Sequence, residues 1–418
     1  VRFDVLPRLG LRSLHRIGPE PDRHCLGPQS ADETMPAFLP EIASRGRIAL
    51  VGTGFVADFY MQSFATFPEL RVVGAFDADA TRLAAFCAHW RVSARDSLSD
   101  LLRAGPEAPD LVLNLTNPGS HYAVSRACLE AGYPVYSEKP LATEMEEAEA
   151  LQALAESRGL MLASAPCSVL GEAAQTAWLA LRRGVIGPVR LVYAELDDGF
   201  LALAPYRNWK SPSGAPWPYA DEFRVGCTLE HAGYYLTWLM AMFGSVTSVV
   251  SASARLAADR LPTGAPAPDF TCATLFFETG VVARLTCSIV APHDHAIRFI
   301  GDEGVVEIDQ CWDNDAAVRL RRRHAIRRRL VDSPFSRRIR IDGRTHPKVA
   351  RWGSTAMNFA LGPVEMLCAM RERRTCRLSA AFGLHLTEVT LAIQSGAGHQ
   401  TMRTTCPVVA PMPWAAGP

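Results

Sequence analysis

Two short stretches carry residue types and spacings that suit a dinucleotide. Gly52-Thr53-Gly54-Phe55-Val56-Ala57 reads G-x-G-x-x-A and follows the apolar run Ile48–Val51. In a strand–turn–helix setting the first glycine permits the tight turn. The second lets the backbone approach a pyrophosphate, and a small residue at Ala57 lets helix pack on strand. The phosphates would rest on the amides at Phe55 and Val56, where a helix N-terminus favours anions. Asp77 lies 23 residues beyond Gly54 at the end of the next apolar run, near the spacing of an acid that binds a ribose diol. A carboxylate there repels a 2′-phosphate, so NAD is expected over NADP. The same Asp-Ala-Asp turn can also cap the following helix.

The second stretch is Ser137-Glu138-Lys139-Pro140-Leu141-Ala142, after a strand over 134–137; Thr116, Asn117, Pro118 and His121 follow another, over 111–115. Both groups sit at carboxyl ends of expected parallel strands, where this architecture binds ligands. Lys139 in a partly desolvated cleft could lower its pKa and exchange a proton, or hold a substrate hydroxyl.

The elements that must position these residues alternate. Strands are expected at 48–51, 71–76, 111–115, 134–137 and 160–163, and helices at 56–67, 80–89, 98–103, 122–130 and 143–157, the last opened by a Thr143/Glu146 capping box. That rhythm means a parallel, doubly wound α/β sheet. The rhythm then changes. A helix near 171–183, a strand over 189–195, a long loop over 197–225 and a helix over 228–243 precede successive strands between 246 and 308, then helices over 357–372 and 380–396. Successive strands with tight turns imply an α+β domain with an open, largely antiparallel sheet. The expected division is an irregular extension over 1–45, a dinucleotide-binding Rossmann domain over 46–166, a substrate and oligomerisation domain over 167–396, and a C-terminal tail over 397–418 that is polar and proline-rich from Thr401 and expected at the surface.

The 418 residues carry 43 basic and 43 acidic side chains, a balance that argues against nucleic acid as the main partner. No apolar run is long enough for a membrane span, and no secretory signal is recognisable. Eleven scattered cysteines suit a reducing compartment, the cytoplasm. His293 and His295 flank Asp294, but too few ligands converge in sequence, and no metal is expected. The basic run over 319–329 reads as a solvated strand edge.

The elements GTGFVA at 52–57, TNPGSHY at 116–122 and SEKPLA at 137–142, with the two-domain order, resemble the family of glucose-fructose oxidoreductase and inositol dehydrogenase over about residues 46–396. The resemblance implies NAD(P), hydride transfer, and a sugar, cyclitol or sugar-nucleotide carbinol as substrate. Lys139 would be the active-site lysine, Pro140 would carry a cis bond, and Asn117 and His121 would lie near the nicotinamide. The family's second signature pairs Asp and His four residues apart on one helix. Aligned on Gly226–Tyr235, it puts His231 and Tyr235 at those positions, and either could be the acid/base, with Glu230 beside them. Tyr206, Arg207 and Trp209 in the loop before that helix suit sugar faces and hydroxyls. Other chemistries on the same frame are an NAD-dependent glycosidase acting by transient oxidation, or a dinucleotide-binding sensor or repressor. An open sheet face needs cover, so a homodimer or homotetramer is expected.

Overall fold

The computed structural model describes residues 46–261, 267–351 and 353–417. The expected extension over 1–45 lies outside the described residues. The first part runs β1 (Gly46–Val51), α1 (Phe55–Phe64), β2 (Leu70–Phe76), α2 (Ala80–Trp90), α3 (Leu98–Leu101), β3 (Leu111–Asn114), α4 (Pro118–Glu130), β4 (Val135–Ser137), α5 (Met145–Arg158) and β5 (Leu162–Ser164). Its five strands pair in parallel in the order β2-β1-β3-β4-β5. Residues 48–51 and 111–114 are all buried, as continuous apolar runs in a sheet covered on both faces must be. The strand order reverses between β1 and β3, which opens a crevice at their carboxyl ends.

The second part contains α6 (Glu172–Arg182), β6 (Val189–Asp197), α7 (Tyr219–Val225), α8 (Cys227–His231), α9 (Gly233–Phe243), β7 (Val246–Ala254), β8 (Phe270–Phe277), β9 (Val282–Ser288), β10 (Ile297–Gly301), β11 (Gly304–Ile308), β12 (Val318–Ile326), β13 (Arg329–Asp332), β14 (Arg337–Ile339), α10 (Leu361–Glu372), α11 (Ala380–Ser395) and β15 (Gly398–Thr401). These strands form one ten-stranded sheet, β13-β12-β11-β10-β6-β9-β8-β7-β15, with β14 on β12. Only β6 and β9 pair in parallel. Burial alternates along β6, β8 and β9, so one face meets the helices and the other is partly open.

Several local expectations change. Helix α4 starts four residues early because Pro118 occupies its first turn, where a missing N–H costs nothing. Helix α5 starts at Met145 after Glu144, and no side chain caps it, so the Thr143/Glu146 box is not formed. The basic run forms the β12–β13 hairpin at the sheet edge, where Arg319, Arg321 and Arg323 pair with Asp309, Glu307 and Asp332. The C-terminal segment is a surface tail only in part. β15 extends the sheet beside β7, and Met412 and Trp414 are buried, because their apolar side chains complete the shared core.

Candidate active site

At the end of β1 the chain turns through Gly52 with φ +93°. A Cβ there would stand 2.6 Å from the carbonyl oxygen of Leu115, so only glycine fits. Gly54 is different. Its φ is −74° and a Cβ there would meet nothing within 4 Å, leaving open space above the start of α1. The amides of Gly54, Phe55 and Val56 find no acceptor among the described residues, and Ala57 is fully buried against the sheet. Free amides beneath open space fit a dinucleotide pyrophosphate.

Asp77 is more heavily engaged than its place in the sequence suggests. Its Oδ2 accepts from the amide and hydroxyl of Thr53 at 2.7 and 2.9 Å and from Arg82 Nε at 2.9 Å; its Oδ1 accepts from the Asp79 amide at 2.9 Å and from a second Arg82 nitrogen at 2.7 Å. Burial would raise its pKa, but these bonds, Arg82 first, hold it below the usual carboxylate value. Five donors use up its lone pairs, so a ribose diol would meet Arg82 before Asp77. The cap on α2 is supplied by Asp79 instead.

Lys139 follows β4 and joins Pro140 through a cis bond. Its ammonium pairs with Glu230 of α8. Burial favours the neutral amine, but the charges of Glu230, Glu222 and Glu138 and the phenol of Tyr234 outweigh it, and the pKa is raised. Of the two roles the sequence left open for Lys139, the surroundings favour holding a hydroxyl over a lowered pKa, and Lys139 is a fixed cation. Burial and the charge of Glu230 push the Glu222 carboxyl of α7 well up, while Lys139 offsets burial at Glu230 and keeps it ionised. The Glu222 carboxyl, the Glu230 carboxylate and the Lys139 ammonium thus form one interacting chain.

The neighbours of Lys139 are fixed from behind. Glu138 accepts from the Tyr60 hydroxyl of α1 at 2.6 Å and from the Lys139 amide at 3.1 Å. His121 is fully buried between the carbonyls of Pro140, 2.6 Å from Nδ1, and Thr116, 2.9 Å from Nε2; burial lowers its pKa. Glu138 and His121 therefore brace the lysine loop. Thr116 bonds the Asn114 side chain, Pro118 begins α4, and Asn117 donates to Asp221 of α7 at 2.5 Å, joining the two parts of the chain above the crevice.

On α8 and α9 the face turned to Lys139 is one residue out of register with the expectation. Glu230, not His231, pairs with the lysine. Tyr234, not Tyr235, is the phenol that feels its charge. Tyr235 is wholly buried, donates to the carbonyl of His295 and packs on Trp238. The spacing of four survives, because i and i+4 share a helix face, but the sheet claims Tyr235. His231 points to the strand ends instead. Its Nε2 lies 3.5 Å from Oδ2 of Asp198, the residue that follows β6, and the ring also meets the backbone of Cys227 one helical turn earlier. Burial lowers its pKa, so the ring is neutral. It lines a hollow with Glu222, Glu230, Trp217 and Phe223.

The aromatic loop packs largely on itself. Tyr206 is buried at the centre of a cluster with Trp217, Tyr219 and Phe223. Arg207 lies over Tyr206 and Tyr219 and donates to the Tyr219 hydroxyl at 3.1 Å. Trp209 is about one-third exposed and stacks toward Trp217. Ser213 ties this loop to Asp58 of α1 at 2.7 Å.

Residues 46–165 match the oxidoreductase family with an NAD-binding Rossmann fold (Gfo/Idh/MocA), and residues 174–307 match the C-terminal domain of that family. The chain is 32% identical over 161 residues to a UDP-N-acetylglucosamine 3-dehydrogenase of Acidithiobacillus ferrooxidans, covering 38% of this chain and 46% of the relative. It is 24% identical over 270 residues to a trans-1,2-dihydrobenzene-1,2-diol dehydrogenase of Sus scrofa, covering 64% and 75%. The first of these alignments thus spans less than half the relative's length. Among solved structures, an inositol dehydrogenase homologue of Azotobacter vinelandii, crystallised with NADH and myo-inositol, superposes with a TM-score of 0.66 at 18% identity over 87% of this chain and 99% of that one. At that identity the likeness is one of fold.

Proposed function

This chain belongs to the Gfo/Idh/MocA oxidoreductase family, and on that premise we propose that it transfers hydride between NAD and a carbinol carbon of a sugar, cyclitol or sugar nucleotide. The relatives named above act on a nucleotide sugar and a cyclic diol by their names. The observation that carries the reading is the placement of Lys139 and Glu230 at the strand ends beside the glycine turn, with free amides below and a hollow above. The dinucleotide-binding part would span 46–166 and the substrate part 167–396.

Gly52, Gly54, Phe55, Val56 and Ala57 would hold the pyrophosphate, with Asp77 and Arg82 at the adenosine ribose and Thr116, Asn117 and Pro118 along the opposite wall. NAD, when bound, supplies the hydride acceptor or donor. The chain must move the hydroxyl proton. Lys139, kept charged, would donate a hydrogen bond to the carbinol oxygen and stabilise negative charge as it develops. His231 is the better acid/base of the two expected candidates: its ring is neutral and Asp198 can orient Nε2, whereas Tyr235 is wholly buried and bonded to the His295 carbonyl. Tyr235 would be structural. Glu222 and Glu230 would set the charge of Lys139, and Trp209 and Trp217 offer faces for a sugar ring.

Val250 and Phe276 are exposed on the uncovered sheet, a surface suited to a second copy of the chain. The ten described cysteines are unpaired and nine are buried, which supports a reducing, cytoplasmic setting. The test is incubation of the purified protein with NAD and a panel of sugars, cyclitols and UDP-sugars, followed by nicotinamide absorbance. Net reduction with one class supports the reading; cleavage of a glycoside without net reduction, or dinucleotide binding without turnover on any member, would replace it.

A further inference from the structure

The residues beyond β6 and before β10 assemble a second set of ligands that sequence distance conceals. Asp197 pairs with Asp294, and the Glu195 amide donates to the Ala296 carbonyl. In that antiparallel register His293 lies across from Asp198, and His295, two positions along, shares the same face. It is the face that α9 covers, since Tyr235 reaches the His295 carbonyl from there. His293 Nδ1 and His295 Nε2 each lie 3.7 Å from Oδ1 of Asp198, and the three ligand atoms are all within 4.8 Å of one another. His295 is 1% exposed, and its Nε2 has no hydrogen-bond partner although it is aimed at the Asp198 carboxylate.

We propose that Asp198, His293 and His295 form a binding site for a divalent transition cation, zinc by ligand type, at the edge of the hollow lined by Glu230 and His231. Two imidazoles and one carboxylate with a remaining open position are the donor set of a reactive rather than a closed structural centre. Bonds of roughly 2.0–2.2 Å in a tetrahedron place ligand atoms about 3.3–3.6 Å apart. The two 3.7 Å separations to the carboxylate need only a few tenths of an ångström of closure, and the two ring nitrogens, within 4.8 Å of each other, need up to about 1.2–1.5 Å, which a turn of the half-exposed His293 ring can supply. The far nitrogen of each imidazole is already engaged. His295 Nδ1 faces the Cys311 sulfur at 3.6 Å, and His293 Nε2 stands 3.2 Å from the Gln310 amide. Such outer contacts fix ring orientation in metal centres. Trp312 packs edge-on to His295 with ring centres 4.3 Å apart and shields one side. His231 touches the other carboxylate oxygen of Asp198 while lining the hollow, so a cation here would stand beside bound substrate and could take a hydroxyl or carboxylate oxygen as its next ligand. The inference stands on its own geometry and does not require the dinucleotide reading.

The full chain, stripped with chelator, is titrated with zinc by calorimetry and with cobalt by visible absorption. Stoichiometric binding with an intense, low-coordinate cobalt spectrum is expected. His293→Ala and Asp198→Asn should weaken binding at least about 100-fold. His293 is 44% exposed, so its variant is expected to fold, with circular dichroism as the check. His324→Ala, on the exposed hairpin, should bind as the parent does. No saturable binding by the parent chain, or unchanged affinity in both ligand variants, would overturn the proposal and leave the imidazoles as hydrogen-bond partners of Asp198. NAD binding, read separately by fluorescence, tells this failure from failure of the dinucleotide site.

Discussion

The turn at residues 52–57 and the cluster around Lys139 and Asp198 solve the same task, holding a ligand, by opposite means. The turn is built by neighbours in sequence: one backbone conformation, one open surface and three amides within six residues. The cluster draws on residues 139, 198, 222, 230, 231, 293 and 295, brought together by a strand end, two helices and a sheet register. The first is a backbone device and tolerates little at its glycines. The second is an electrostatic device whose members tune one another, so a change at one is felt by the rest.

That contrast yields tests of decreasing size. Lys139→Met removes the ammonium that pairs with the Glu230 carboxylate. We expect turnover to fall by roughly 10²–10⁴ while NAD affinity, measured by fluorescence, changes little. An active variant would erase the distinction between the two regions. The glycines sharpen it further. Gly52→Ala meets both a left-handed φ and the Leu115 carbonyl, and should cost about 1–3 kcal/mol of stability in denaturant unfolding. Gly54→Ala meets open space, so stability should stay within about 0.5 kcal/mol while NAD binding weakens, because the added methyl intrudes on the pyrophosphate. Equal losses of stability at both positions would contradict the account.

A smaller effect is expected where the backbone device ends and charge takes over. Asp77→Ala frees Arg82, and the ratio of NAD to NADP affinity should fall about tenfold, the size of one charged hydrogen bond. An unchanged ratio would remove both residues from the ribose site. The smallest effect concerns acid stability. The folded pKa of Asp77 is depressed, so its contribution is present above the unfolded value of about 3.9 and is lost as pH falls through the folded one. Asp77→Asn should therefore flatten the loss of melting temperature below that unfolded value, and an unaltered slope would refute this.

The same contrast explains what was legible beforehand. The alternating apolar runs gave the order of the first sheet's elements, and the Gly, Asp77 and Lys139 positions could be named, because short-range spacing specifies them. The helical period placed a pair four residues apart on α8 and α9 but not which pair. Only packing distinguishes Glu230 and Tyr234, on the side of Lys139, from His231 and Tyr235, on the side of the sheet. Asp198 lay beyond reach for another reason. Nothing in the sequence ties it to His293 and His295, nearly a hundred residues away, until the pairing of β6 with β10 sets them side by side. Arg82 was missed because a residue one helical turn past the acid reads as ordinary surface charge, and its bond to Asp77 depends on the strand–helix angle. The buried C-terminal segment shows how polar, proline-rich composition hides two well-placed apolar anchors, Met412 and Trp414.

The most direct test is a crystal structure of the protein with NADH. The account predicts the pyrophosphate over Gly54 on the amides of Phe55 and Val56, and the nicotinamide ring turned toward the ammonium of Lys139. A dinucleotide bound elsewhere, or a nicotinamide facing away from that lysine, would contradict it.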